Sequence, residues 1–176
     1  MVRKKGICYW ITGLSGSGKS TVSEAFSEMI RNDFKNIILL DGDNLRVIFN
    51  NKSFSNEDRL KLSYKYALTA NMLLDQGIHV VISVMALFHE VHKWNRENIS
   101  NYVEVFLDVP IQELERRDPK GLYLKYKRGE VKNMVGMDIM AEFPENPHFH
   151  FSWNKNQDLK SISDTLYKDF RNRILI

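Results

Sequence analysis

Gly13-Leu14-Ser15-Gly16-Ser17-Gly18-Lys19-Ser20 is the stretch from which the rest of the chain can be read. It fits G-x-x-x-x-G-K-[ST], with a hydrophobic run over residues 7–11 before it and a helical pattern from Lys19 onward. That strand–loop–helix context is what a phosphate-binding P-loop requires. A polyphosphate needs several backbone N–H groups converging on it, and only glycine-rich backbone curls that tightly without Cβ clashes. The N-terminus of the following helix adds partial positive charge. In such a loop Lys19 reaches the β- and γ-phosphates, and the Ser20 hydroxyl completes a Mg²⁺ shell. A chance Gly/Ser turn is the alternative, but average composition produces this pattern in well under ~5% of chains of this length. Gly13 to Ser20, with Thr21 behind, therefore read as a nucleoside-triphosphate site.

Outward from the loop, strands alternate with helices. Strands are predicted over 7–12, 36–40, 78–84 and 102–108. Helices are predicted over 19–31, 57–76 and 90–99, with another started by Pro110 and a last one over 158–173. Gly77 suits a helix stop. The run 78–84 is rich in β-branched residues, as in a strand buried on both faces. Leu159, Ile162, Leu166 and Phe170 share one face of the last helix. This order predicts an α/β fold, a parallel sheet flanked by helices. Residues 118–137 break the rhythm. They are basic and carry Gly121, Gly129 and Gly136, so they read as a mobile lid. With no repeats, low-complexity tracts or linkers, residues 1–176 read as a single domain built on the P-loop.

Bulk properties narrow the function classes. A chain of 176 residues, 43% hydrophobic, is long enough for a substantial core. No apolar run reaches membrane-spanning length, and Met1-Val2-Arg3-Lys4-Lys5 leads into a strand and not a signal peptide. The expectation is a soluble cytoplasmic protein without membrane partners. The single Cys8 lies inside the first strand, so burial is its expected role. A formal charge of +3 is too small to argue for nucleic acid. Much of the basic charge falls between Arg116 and Lys132, which suits a segment that covers phosphates.

The second strand runs into Leu40-Asp41-Gly42-Asp43-Asn44-Leu45-Arg46. Carboxylates just past a strand's carboxyl end lie beside the P-loop in a doubly wound sheet, where ligands collect. Asp43 there suits an acceptor hydroxyl or a Mg²⁺-bound water, and Arg46 suits an acceptor phosphate. The same segment reads equally well as an Asp-Gly turn capping the next helix.

Taken together, these segments resemble the adenylylsulfate kinase family. The likeness runs from Trp10 to about Pro147 and includes Gly13 to Thr21, Leu40 to Arg46, Phe54-Ser55, and Asp58-Arg59. It continues through Arg117-Asp118-Pro119-Lys120-Gly121-Leu122-Tyr123, Gly129-Glu130-Val131-Lys132 and Pro144-Glu145-Asn146-Pro147. The resemblance implies a P-loop nucleotide-kinase fold, usually a homodimer, that moves a phosphoryl group from Mg-ATP to the 3′-hydroxyl of a nucleotide. Arg117 then joins the P-loop in binding ATP, and Asp43 and Lys19 carry catalysis. The acceptor-binding set it implies is Asp41, Asp43, Arg46, Asn50, Phe54, Arg59, Lys120 and Met134. Lys120 and Arg117 would close over the phosphates and exclude water.

The departures from the family fall on the acceptor side. Leu62, Ser63, Tyr64 and Lys65 stand where the family reads Asn-Ile-Arg-Arg. Met85-Ala86-Leu87-Phe88-His89 replace its Ile-Ser-Pro-Tyr/His-Arg, removing a serine at Ala86. Met134 and Val135 replace a stacking phenylalanine and its following threonine. Losing hydrogen bonds to charged groups costs roughly 1.5–3 kcal/mol each, and losing a stacking face ~1–3 kcal/mol, unless the ligand has changed too. The pattern is similar to a divergent branch of the family that phosphorylates cytidine diphosphoramidate, a precursor in bacterial capsule decoration. An adenylylsulfate kinase with drifted residues is the alternative. A non-catalytic nucleotide switch is a remoter one, against which Asp43 and the lid argue.

Weaker signals were weighed too. Asp118-Pro119-Lys120-Gly121 matches D-x-x-G, and Asn154-Lys155-Asn156-Gln157 half-matches N-K-x-D, but the first falls where the lid belongs and the second lacks its Asp. His89 with His92, and His148 with His150, have no companions completing a metal set, and read as hydrogen-bonded or solvated. Tyr64, Tyr66 and Tyr167 read as packing aromatics, with Tyr64 a candidate for a new acceptor contact.

Overall fold

The computed structural model describes residues 5–155 and 158–175. Five strands form a single parallel sheet in the order β2-β3-β1-β4-β5. They are β1 (Cys8–Thr12), β2 (Ile37–Asp41), β3 (His79–Ser83), β4 (Tyr102–Asp108) and β5 (Phe149–Ser152). The helices are α1 (Lys19–Asp33), α2 (Gly42–Ile48), α3 (Asn56–Asp75), α4 (His89–Asn98), α5 (Ile111–Arg117), α6 (Leu122–Lys127) and α7 (Leu159–Ile174).

The alternation of side chains along β1 explains the layers. Cys8 and Trp10 pack with Leu62, Tyr66, Ile82 and Val91 beneath α3 and α4. Tyr9 and Ile11 point the other way, among Phe26, Ile30, Leu166 and Phe170 of α1 and α7. Every residue of β1 and β3 is buried, as two covered faces require. Burial pushes the Cys8 thiol up to about 12, so it packs as an inert hydrophobe. A third cluster joins Leu14, Leu87, Phe106 and Leu114 to Tyr123, Met134 and Val135. The expected lid segment is thus folded down onto the P-loop, and part of it is the helix α6.

Three elements were not foreseen. The strand β5 is short, and its residues alternate half-buried and exposed at the sheet edge, which leaves little hydrophobic signal. Helices α2 and α6 are short segments whose first amides are held by acidic side chains, the N-cap Asp41 for α2 and Asp118, ahead of the N-cap Gly121, for α6. Asp41 accepts from the Asp43 and Asn44 amides, and Asp118 accepts from those of Tyr123 and Leu124. The D-x-x-G match is therefore a helix cap. Asn156 and Gln157 of the half-matched N-K-x-D, and the leading residues 1–4, lie outside the described residues. Among the described residues no helix is long and apolar enough to cross a membrane.

Candidate nucleotide-binding and transfer site

Strand β1 lies between β3 and β4, so the loops after β1 and β3 depart to opposite faces and leave a crevice at the carboxyl edge. A cavity of about 600 Å³ occupies it, walled by the P-loop, α2, α3, the end of β3 and the lid.

At one end the chain presents main-chain groups. Gly18 precedes α1 in the left-handed conformation, φ 93°, and no side chain caps the helix. The first-turn N–H groups of α1 therefore open into the cavity, as an anion site requires. Gly13 cannot carry a side chain, since a Cβ there would lie 2.6 Å from the Leu107 carbonyl. Ser15, Gly16, Gly18, Lys19, Ser20 and Thr21 line the cavity, while Gly13, Leu14 and Ser17 are buried beneath and shape the loop. The Lys19 ammonium folds back to donate to the Leu14 carbonyl at 2.7 Å. Burial holds Lys19 down to about 8, Lys120 adds repulsion, and Asp43 and Asp41 pull the other way.

Asp41 lines the cavity with Asp43 and Arg46, and both its oxygens have neighbours. Its Oδ1 caps α2, and its Oδ2 lies 3.5 Å from the Ser20 hydroxyl on the P-loop side. The capping reading of this segment falls to Asp41, while Asp43 is the carboxylate left facing the cavity. Asp43, in the first turn of α2, projects free with 76% of its side chain exposed and meets Lys120 of the lid at 2.6 Å.

The far end is built from side chains. Phe54, 48% exposed, is flanked by two guanidiniums, Arg46 at 4.4 Å and Arg59 at 5.2 Å from its ring centroid. Arg46 donates to Asn51 and to the Ser53 carbonyl, and Arg59 to the carbonyls of Phe54 and Asn133. Among the described residues neither has a carboxylate at ion-pair distance, so both charges remain available to an anion. Burial, then Arg46, holds Arg59 down to about 10. Asn50 is not brought in: it is exposed outside the cavity at φ 48°, and its neighbour Asn51 is the one that holds Arg46.

Of the replaced residues, Leu62 and Met134 line the cavity, as do Ser63 and Met85. Tyr64 and Ala86 do not. Two positions past Leu62, Tyr64 has turned about 200° around α3, and it packs on Trp94 and donates to Glu90. Ala86 is buried, its carbonyl bonded to His92. Val135 lines the cavity too, so the replaced positions divide between the cavity wall and the packing behind it. Arg117 lines the P-loop end, its Nε bonded to Glu113 and its guanidinium 6.0 Å from the Trp153 ring. Hydrogen bonds from Arg116 and Arg117 hold Glu113 down to about 2.

Sequence reasoning missed Tyr66, Ser83, Lys132, Asn133 and Leu159, which also line the cavity. The spacing of Arg59, Leu62, Ser63 and Tyr66 on one helical face was a usable signal for the first. The histidines are hydrogen-bonded: His89 to the Phe143 carbonyl, His148 to the Glu104 amide, and His150 to Asp108.

A family model described as adenylylsulphate kinase matches residues 5–152. The chain is 40% identical over 136 residues to the cytidine diphosphoramidate kinase of Campylobacter jejuni, covering 77% of this chain and 80% of that one. It is 39% identical over 149 residues to an adenylyl-sulfate kinase of Pseudomonas aeruginosa, covering 83% and 76%. The solved structure of the Mycobacterium tuberculosis APS kinase CysC in complex with AMPPNP and APS superposes with a TM-score of 0.86. It is 32% identical, over 95% of this chain and 98% of that one.

Proposed function

The chain belongs to the adenylylsulphate kinase family of phosphotransferases, and from that premise we propose that it phosphorylates the 3′-hydroxyl of cytidine diphosphoramidate with ATP. The observation that carries the acceptor is the far wall of the cavity. Arg46 and Arg59 remain for a 5′-linked diphosphate, while Leu62 and Met134 stand where adenylylsulfate kinases resembling this chain have a hydrogen-bonding Asn and a stacking Phe. The identity to the Campylobacter jejuni enzyme supports the same choice.

The donor chemistry follows from the other end. The open first turn of α1, the loop amides and Lys19 would take the charge growing on the β- and γ-phosphates. Ser20 and Asp41 offer hard oxygens 3.5 Å apart, a donor pair that fits Mg²⁺. When bound, that ion would neutralise the transferring phosphates. Asp43 would leave Lys120 to orient, and accept the proton of, the acceptor hydroxyl, and Lys120 would turn to the phosphates. Use of ATP suits a cytoplasmic enzyme. The exposed Val47, Ile48, Leu68 and Met72 on α2 and α3 suit a homodimer, which a molar-mass measurement by light scattering tests.

An acceptor panel with Mg-ATP, scored for 3′-phosphorylated product, tests the reading. Cytidine diphosphoramidate should exceed adenylylsulfate in kcat/KM by at least ~10²-fold, or about 2.7 kcal/mol of transition-state discrimination. Efficient turnover of adenylylsulfate without activity on cytidine compounds would make the protein an adenylylsulfate kinase.

A further inference from the structure

Most polar side chains at the acceptor end of the cavity are committed to the protein itself. Arg46 and Arg59 donate to Asn51 and to main-chain carbonyls, Ser63 to the Arg59 carbonyl, Tyr66 to the Gly42 carbonyl, and Lys120 to Asp43. Asn133 differs. Its main chain is pinned, with φ 60°, its N–H donated to Asp138 at 2.8 Å and its carbonyl accepting from Arg59 at 2.9 Å. Asn133 is exposed and lines the cavity, and its carboxamide bonds to no described residue.

The location gives that carboxamide a task. Arg59 bonds the Asn133 carbonyl and the Phe54 carbonyl at 2.9 Å each, so the main chains of Asn133 and Phe54 are drawn to one corner, and the Phe54 ring lies 5.2 Å from the same guanidinium. Leu62, Met85 and Met134 line the same end. An apolar wall with one exposed aromatic suits the flat face of a nucleotide base, and the base's polar edge then needs partners. Ser83 and Lys132 are the other uncommitted polar side chains at this end, and neither presents a donor and an acceptor side by side in one plane.

We propose that Asn133 reads the base of the acceptor. Its oxygen accepts from an exocyclic amine and its NH₂ donates to the adjacent ring nitrogen, the edge that cytosine and adenine share. The proposal rests on the reading that the acceptor is a nucleotide, and deepens it by naming a specificity residue.

The test compares wild type with Asn133→Gly at saturating Mg-ATP, glycine being chosen because φ 60° strains alanine. Two acceptors are used: cytidine diphosphoramidate, and its counterpart in which the base lacks the 4-amino group. Wild type should favour the amino-bearing acceptor by ~10-fold in kcat/KM, mainly through KM, as the one neutral hydrogen bond lost with the amine implies. In the glycine variant that ratio should fall toward one, with KM for ATP unchanged. Asn133→Asp keeps the shape and the acceptor for the amine but cannot donate to the ring nitrogen that both acceptors carry, so it should lower kcat/KM for both while keeping the preference, and it serves if the glycine variant fails to fold. An unchanged ratio in the glycine variant, or an unchanged kcat/KM for both acceptors in the aspartate variant, overturns the role of Asn133. If adenylylsulfate proves to be the acceptor, the same comparison runs with adenine and purine forms. Failure of the cytidine reading and failure of the Asn133 reading thus give different results.

Discussion

The two ends of the cavity are made of different material. The P-loop end works through main-chain N–H groups whose directions are set by backbone torsions, with Gly18 at φ 93° and an uncapped helix start. The acceptor end works through side chains from α2, α3, the end of β3 and the lid. A backbone site survives almost any substitution that keeps its torsions and is lost as a whole when they change. A side-chain site is altered one residue at a time. A substitution at Leu62 or Met134 would reshape the far wall and leave the P-loop as it stands, so the two ends can change independently.

Asp43 stands where the two ends meet, and changing it is the hardest blow to that division. Asp43→Asn should lower transfer by ~10²–10³-fold, as loss of a general base does, with binding of an ATP analogue close to normal by calorimetry. A fall in ATP affinity, with transfer from bound ATP preserved, would move Asp43 to the donor end. Lys19→Ala should cost turnover about 10²-fold with an unchanged circular dichroism spectrum, since one cationic donor to the transition state is lost. Near-normal turnover would break the assignment of the P-loop end.

Leu62→Asn combined with Met134→Phe addresses the acceptor end alone. The kcat/KM ratio should shift toward adenylylsulfate by about tenfold or more, with KM for ATP unaltered in the same assays. A change confined to ATP would show that the ends are not separable. The smallest effect is with pH. Lys19 is held down to about 8, so above that pH the free enzyme loses the ammonium that meets ATP. The kcat/KM for ATP should fall to about half near pH 8 and keep falling, while kcat moves less because bound phosphates hold the proton on. A flat profile to pH 9 would place the lysine outside donor binding.

Local chemistry was enough for the sequence to determine the P-loop, the alternation of strands and helices, the parallel sheet and the buried Cys8. Each depends on neighbours within a few residues or on hydrophobic periodicity. The resemblance also marked the acceptor side as altered. Tertiary structure alone decided which of those residues line the cavity. Leu62 and Tyr64 are two apart in sequence yet point to the cavity and to Trp94, because a helix turns about 100° per residue. Asn50 and Asn51 are adjacent, and only Asn51 reaches Arg46. The pairing of Lys120 with Asp43, and of Arg59 with the Asn133 carbonyl, joins residues 77 and 74 positions apart. Those contacts exist because the lid folds back on a hydrophobic seam of Leu14, Tyr123, Met134 and Val135, a long-range packing choice that no local pattern encodes.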